Sequence, residues 1–237
     1  VKDAEFDNIG LFTEERWDLN DASRLIGGAR LDWASARDLR PSLGNGMMSK
    51  PNPGANERRR ETLPSAFLRI EHDLDSLPLS LYAGIGHVQR MPDYWELISP
   101  ASGPQGSASA FLGIQPEKTT QLDFGAQYKD ETVSAWASAY IGQIQDYILF
   151  DYLPGGMMGM KTQARNVKAR IMGGELGADW KATPNWTLGG SLAYAWGELA
   201  DSGEPLPQMT PMEARLTAAY DNQRWSAGAL LRIVSSQ

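Results

Sequence analysis

The stretch WTLGGSLAYAW, residues 186–196, alternates large apolar side chains with small or polar ones at a period of two. Because successive side chains of a β-strand point to opposite faces, this pattern predicts a strand with one apolar face. Trp186 and Trp196 share that face and lie ten residues apart. At about 3.3 Å per residue and a tilt of roughly 40°, they lie about 25 Å apart along the membrane normal, which is the height of the apolar band of an outer-membrane barrel.

The same alternation recurs along almost the whole chain and predicts about ten strands. Their approximate ranges are 4–18, 24–33, 64–74, 79–90, 118–128, 132–150, 165–181, 186–196, 211–220 and 224–234. In the seventh strand the pattern indicates a change of face near Gly173 and Gly174, as a β-bulge would produce.

The connections between these strands alternate in length. Short ones fall near residues 20–21, 75–76, 129–130, 183–185 and 221–222, and long ones at about 35–63, 91–117, 151–164 and 200–210. A soluble β-sandwich, which is the alternative, has no reason to keep every second connection short. An outer-membrane barrel does, because its turns are short on the periplasmic side and its loops are longer on the extracellular side.

Aromatic and charged residues support the barrel. Aromatic residues crowd the short-turn ends of the strands, and a second group lies near the long-loop ends at Trp33, Tyr194 and Trp196. These two groups match the aromatic girdles at the membrane interfaces. The polar parity of the strands carries Arg24, Arg30, Asp32, Arg69, Glu71, Asp123, Glu213 and Arg215. A sandwich core cannot hold such charges, whereas a water-filled lumen can.

Composition excludes several classes of function. The formal charge of -7 argues against a nucleic-acid-binding protein, and the absence of cysteine excludes disulfides and thiolate metal sites. The only histidines are His72 and His87, and both fall on the apolar parity of their strands. We therefore expect interfacial histidines rather than ligands. An outer-membrane protease or phospholipase needs a histidine at its rim, so the sequence predicts no enzyme and no catalytic residue.

Several segments resemble the barrels of TonB-dependent outer-membrane receptors. They are FDNIGLFTEERWDLND (6–21), RLIGGARLDW (24–33), QPEKTTQLDFGAQYKD (115–130) and RNVKARIMGGELGADW (165–180). The resemblance implies an all-β, antiparallel transmembrane barrel of 22 strands with an N-terminal plug domain and a TonB box. Residues 1–237 would then be part of a single barrel domain, truncated at both ends and lacking the plug. The resemblance also implies an outer-membrane location, contact with lipid and lipopolysaccharide, and TonB as a partner through the missing plug region.

Within that family, YAGIGHVQRMPDYWEL (82–97), DYILFDY (146–152) and the methionine-rich loop after them resemble the copper-receptor subgroup. The resemblance implies TonB-dependent import of copper, which is a transported ligand and not a catalytic cofactor. An iron-siderophore or another metal chelate is the alternative substrate, and a passive porin or adhesin is a third possibility. In the resembled copper receptors the principal site combines methionine, cysteine and histidine from plug and barrel, so we expect that site largely outside this chain.

Methionines concentrate in the predicted long loops. Thioethers are soft ligands that select Cu(I), and two loops carry a Met-Met pair, GNGMMSK (44–50) and GGMMGMK (155–161). The candidate copper contacts are Met47, Met48, Met91, Met157, Met158 and Met160. The alternative is that these side chains only pack the loops against their neighbours, because methionine is common at adaptable surfaces.

Two further loop features are expected. The run Arg58-Arg59-Arg60 predicts a loop surface that faces solvent or lipopolysaccharide. The segment Arg90-Met91-Pro92-Asp93-Tyr94-Trp95, at the start of the second long loop, predicts a short helical turn or a structural element of the rim.

Overall fold

The structure is a computed structural model that describes residues 3–44, 49–98, 104, 108–154 and 160–236. Its main element is a ten-stranded antiparallel sheet in which strands adjacent in sequence are adjacent in space. The ten strands are β1 (Ala4–Asp18), β2 (Ser23–Asp38), β5 (Arg58–Asp73), β6 (Leu79–Arg90), β7 (Glu117–Lys129), β8 (Val133–Pro154), β9 (Met160–Thr183), β10 (Trp186–Leu199), β11 (Glu213–Asp221) and β12 (Ser226–Val234). The short strands β3 (Ser42–Leu43) and β4 (Lys50–Pro51) pair separately. The ten predicted strands are confirmed.

One face of the sheet, the outer face, is apolar across many strands. A single cross-strand row of direct partners runs through Leu68, Ile85, Leu122, Ile141, Met172 and Trp196. Leu68, Ile85 and Ile141 are 47%, 48% and 55% exposed. Such a continuous exposed apolar band is the surface that lipid covers in an outer-membrane barrel, and a water-soluble protein rarely presents one.

The opposite face, the inner face, carries the charges. Arg24 donates to Glu71 at 2.5 Å and to Asp73 at 2.8 Å, and Arg30 forms an ion pair with Asp32. Glu213 lies between two arginines of this face, Arg215 and Arg232, each 2.5 Å away. The predicted division into a lipid-facing parity and a wet, lumen-facing parity is therefore confirmed.

Aromatic rings lie flat on glycines of the neighbouring strand on the inner face. Tyr82 covers Gly125, and Tyr140 covers Gly173, so closely that a Cβ atom at either glycine would overlap the ring. The expected change of face at Gly173 and Gly174 is wrong, because β9 keeps one register with β10 through both residues. The alternation of side chains in β9 is hard to read there because Gly173 has no side chain, and the Tyr140 ring of β8 occupies the space where one would lie.

The only register shift between β8 and β9 lies farther along, between Ile144 and Tyr147. Asp146 has a positive φ of 59° at this bulge. An Asp tolerates this left-handed conformation better than most residues, and a bulge bends the strand that contains it. The β8–β9 hairpin therefore changes direction where it leaves the apolar band.

The connections predicted to be short are short turns in the structure. Asp130 closes one short turn by accepting hydrogen bonds from the backbone N–H groups of Thr132 and Val133, both at 2.7 Å. Trp186, Tyr220 and Trp225 contact one another at this end as tilted rings, with centroids 5.1 and 4.8 Å apart, and so form an aromatic group of the kind found in a girdle.

Two of the predicted long loops are shorter than expected because the strands extend past the apolar band. β2 and β5 pair as far as Arg37 with Arg58, so the first loop covers 39–57 rather than 35–63. β8 and β9 pair as far as Pro154 with Met160, so the expected loop 151–164 is mostly a β-hairpin. The lipid thickness sets only a minimum strand length, and cross-strand pairing continues above it.

Two short helices lie in the second long connection, α1 (Tyr94–Ile98) and α2 (Ala110–Gly113). The predicted helical turn after Pro92 is confirmed by α1. Within the described ranges, no helix has the length and hydropathy needed to cross a membrane.

Candidate functional site

The long-loop ends of the strands form a compact cap around a buried apolar cluster. The cap consists of the described parts of residues 36–57, 91–116 and 147–166. Its buried members are Ala36, Leu97, Ile98, Ala110, Phe111, Ile114, Ile148 and Ala164. These residues come from all three of these segments, in part from the strand ends and in part from the connection between β6 and β7. The cap therefore joins segments that are far apart in the sequence.

A buried carboxylate fixes the first cap segment. Asp38 is 0% exposed and accepts hydrogen bonds from the Arg40 guanidinium at 2.7 and 2.9 Å and from the Asn52 amide at 2.9 Å. Burial alone would raise the pKa of Asp38, but the hydrogen bonds from Arg40 and Asn52 outweigh it and hold that pKa below its ordinary value. Arg40 also donates to the carbonyl of Ile98, which ties the first cap segment to the second.

Two more arginines hold the second segment. Arg59 donates to the backbone carbonyls of Phe111 and Ile114, and it is an inner-face residue of β5. Arg90 forms ion pairs with Glu96 at 2.7 Å and Glu117 at 2.6 Å, and these hydrogen bonds raise the pKa of Arg90. The expectation that Arg58-Arg59-Arg60 forms a loop surface is wrong for Arg59, because an inward residue of an extended strand reaches the cap and not the solvent.

The sequence contained a signal for part of this network. Asp93 and Glu96 form a reciprocal capping box, in which each carboxylate accepts a hydrogen bond from the other residue's backbone N–H, at 2.9 and 2.8 Å. The D-x-x-E spacing after Pro92 predicts that helix start. The contacts of Arg40 with Ile98 and of Arg59 with Phe111 and Ile114 had no comparable local signal, because these partners lie in another loop.

The β8–β9 hairpin is fastened to the same cap. Asn166 accepts a hydrogen bond from the backbone N–H of Gln115 at 2.7 Å and donates to the Gln115 carbonyl at 3.0 Å. The backbone N–H of Ile148 donates to Glu117 at 2.7 Å. The hairpin that carries Met160 at the start of β9 is therefore held against the segment that begins at Met91.

The candidate methionines fall into two groups. Met47, Met48, Met157 and Met158 lie outside the described residues, and Met160 is the backbone partner of Pro154. Met91 is half-buried and packs against the apolar cluster of the cap. That environment fits the packing alternative for Met91. The cap does bring together the segments to which all six belong.

Both histidines lie on the outer face, as expected. His87 Nδ1 is 2.8 Å from the Thr120 hydroxyl, and His72 Nδ1 is 2.9 Å from the Ser23 hydroxyl. Among the described residues, no group of three or more histidine, aspartate or glutamate side chains is arranged to hold a metal ion.

An aromatic group lies beside the cap. Tyr94 contacts Phe6 and Trp95 edge-on, with ring centroids 6.4 and 5.5 Å apart, and Trp95 is 66% exposed. These rings present an apolar surface next to the cap.

Comparisons with known proteins agree with this architecture. The family model for the TonB dependent receptor-like β-barrel matches residues 1–237. The chain belongs to the TonB-dependent receptor family. It is therefore part of an outer-membrane β-barrel, and in this family short turns lie on the periplasmic side and long loops on the extracellular side. The cap is thus extracellular.

The solved structures that resemble this chain differ widely in identity. The copper transporter OprC superposes with a TM-score of 0.93 at 55% identity, covering 98% of this chain and 36% of that protein. The ferric-catecholate import receptor Fiu from E. coli K12 has a TM-score of 0.71 at 17% identity, covering 98% and 34%. The FrpB iron transporter from Neisseria meningitidis, in its F5-1 variant, has a TM-score of 0.67 at 16% identity, covering 97% and 33%.

The low identities of Fiu and FrpB show a shared fold and no more, whereas the 55% identity to OprC is measured over 98% of this chain. The chain spans about a third of the length of these relatives. A comparison with curated protein sequences gave no match. The relatives named here are transporters and receptors, not enzymes.

Proposed function

We propose that this chain is part of a TonB-dependent receptor that imports copper across the outer membrane. The observation that carries the proposal is the 55% identity to the copper transporter OprC over 98% of the chain. The cap adds support, because it packs together the three extracellular segments to which all six candidate methionines belong.

In this proposal the candidate methionines act as capture ligands at the extracellular side. Thioethers bind Cu(I) in preference to hard cations, and a cap held by buried ion pairs gives them a fixed base. Copper is then exchanged between ligands and passes through the lumen. No covalent chemistry is needed, and copper is the cargo rather than a resident cofactor.

The partners are part of the same proposal. TonB acts on the receptor through a region outside these residues, and the outer face contacts membrane lipid and the lipopolysaccharide of the outer leaflet. The proposal also includes a complete barrel of 22 strands with an N-terminal plug, in which residues 1–237 are one portion of a single barrel domain.

The test is an anaerobic Cu(I) titration of the full-length receptor purified from membranes. We expect a Met157/Met158/Met160→Leu triple variant to lose sites or to bind more weakly than wild type. A Met172/Met212→Leu variant is the control, because both methionines lie in the strand region and are partly exposed, at 41% and 46%. Met91→Leu should leave binding unchanged if Met91 only packs the cap.

The outcomes separate the possibilities. If the wild type and the triple variant bind copper equally, Met157, Met158 and Met160 are packing residues and the copper ligands lie elsewhere. If neither binds copper, the copper proposal fails. The alternative substrate, an iron-siderophore or another metal chelate, is then favoured, and the exposed aromatic surface of Phe6, Tyr94 and Trp95 would be the place to test for it.

A further inference from the structure

Three arginines share the outer face at the extracellular ends of β2 and β5. Arg37 and Arg58 are direct cross-strand partners, and Arg60 is the partner of Ser35 on the same face. We name Arg37, Arg58 and Arg60 the outer arginine patch. Arg59, which lies between two of them in sequence, points to the inner face and holds the cap, so the patch is separate from the cap network.

Trp33 marks where the patch lies relative to the membrane. Trp33 lies on the outer face, is 46% exposed and pairs with Thr62, so it marks the upper aromatic girdle. Arg60 and Arg58 precede Thr62 by two and four residues and lie nearer the extracellular end of β5, which begins at Arg58. At about 3.3 Å per residue and a tilt of roughly 40°, they lie about 5 and 10 Å beyond the girdle, at the level of the lipid headgroups.

The charge of the patch is only weakly balanced within the described residues. Glu5, the direct cross-strand partner of Arg37 on β1, is 3.8 Å from Arg58, and Asp7 is 3.7 Å from Arg58. No ion pair involves Arg60 in this part of the chain, so two carboxylates face three arginines. By contrast, Arg24 and Arg90 bind carboxylates at 2.5–2.8 Å. Like charges directly opposite each other in a sheet, such as Arg37 and Arg58, destabilise it. An anion bound between them would relieve that repulsion.

We propose that the outer arginine patch binds the phosphate groups of the lipopolysaccharide lipid that surrounds the barrel. Guanidinium groups form bidentate hydrogen bonds with phosphate, and an exposed, lipid-level position gives access to a lipid headgroup. This inference rests on the outer-membrane location and on the lipid contact in the proposed function. It does not depend on the transported substrate.

The experiment measures binding of bisphosphorylated lipid A to the full-length receptor in detergent by native mass spectrometry. Wild type is compared with Arg58/Arg60→Gln and with Arg16/Arg215→Gln. Arg16 and Arg215 lie on the inner face with side chains 59% and 56% exposed, so the control removes the same charge from the wrong side. We expect the outer double variant to bind at least about tenfold more weakly, since charged hydrogen bonds are lost, and the control to bind like wild type.

Additional arms make the result specific. Arg58/Arg60→Lys keeps the charge without the bidentate geometry and should recover part of the affinity. Dephosphorylated lipid A should bind wild type and the outer double variant equally weakly, and inorganic phosphate should compete poorly. Equal binding of lipid A by all variants, an equal loss in the inner-face control, or equally tight binding of inorganic phosphate would overturn the proposal. A Cu(I) titration of the same variants reports separately on copper, so failure of one proposal is distinguishable from failure of the other.

Discussion

The apolar band and the cap are built from the same strands but are stabilised differently. In the band, side chains alternate between lipid and lumen, and each contact joins neighbouring strands, such as Tyr82 on Gly125. In the cap, Arg40 and Arg59 donate to backbone carbonyls of a loop that is more than 50 residues away in sequence, and Asp38 holds Arg40 in place. The band therefore tolerates changes according to the face they occupy, whereas the cap depends on a few buried charges.

The largest effect should come from removing the buried carboxylate of the cap. Asp38→Ala leaves Arg40 and Asn52 without their partner, and loss of one member of a buried ion pair typically costs about 3–5 kcal/mol. We expect faster amide hydrogen exchange in 39–57 and 91–98 of the full-length receptor, with exchange in the band unchanged. Asp7→Ala is the control, because the Asp7 side chain is 71% exposed and its ion pair with Arg58 is long, at 3.7 Å. Equal protection in both variants would contradict the distinction between cap and band.

A charge on the lipid face of the band should have the next largest effect. Leu192 lies on the outer face between the two girdles, so Leu192→Arg should destabilise the barrel by about 2–4 kcal/mol. The matched control is Ala193→Arg, which places the same side chain on the lumen face opposite Glu213. Urea unfolding of the full-length receptor in lipid vesicles measures both. Similar losses at the two positions would mean that the faces are assigned wrongly.

A methyl group under a ring of the inner face should cost less. Gly125→Ala inserts a Cβ where the Tyr82 ring lies, and overpacking of this kind costs about 1–3 kcal/mol. Gly86→Ala is the control on the neighbouring strand, because its Cβ would lie 3.9 Å from the nearest atom, the Phe67 Cβ. The same unfolding assay should separate the two variants. If they unfold alike, Tyr82 moves away from the strand without cost.

How much of the fold the sequence predicts depends on how far apart in the chain the interacting residues lie. Alternation along each strand is local, so the ten strands, their faces and the lipid-facing histidines followed from the sequence. The extension of β8 and β9 to Pro154 and Met160 did not, because no change in polarity marks a hairpin that leaves the membrane.

The candidate site shows the same limit. The clustering of methionines in extracellular segments was visible in the sequence, whereas the packing of Met91 into the cap was not, because the cluster it packs against includes residues from other segments, such as Ala36, Ile148 and Ala164. Arg59 was misassigned for a similar reason. Three consecutive arginines suggest one surface, but an extended strand sends the middle one to the opposite face.

The smallest expected effect at ordinary pH comes from the titration of Asp38 in the cap. The pKa of Asp38 is lower in the folded protein than its ordinary value, so the folded state binds fewer protons than the unfolded state. The stabilisation is therefore complete above the ordinary aspartate pKa of about 3.9 and is lost as the pH falls through the lower folded-state value. Exchange protection of 39–57, corrected for the intrinsic pH dependence of exchange, should stay constant from about pH 8 to pH 5 and fall only below about pH 4. In Asp38→Asn, the acid-induced part of that loss should be absent. A loss of protection near pH 6–7 in the wild type would instead assign control of the cap to a different group.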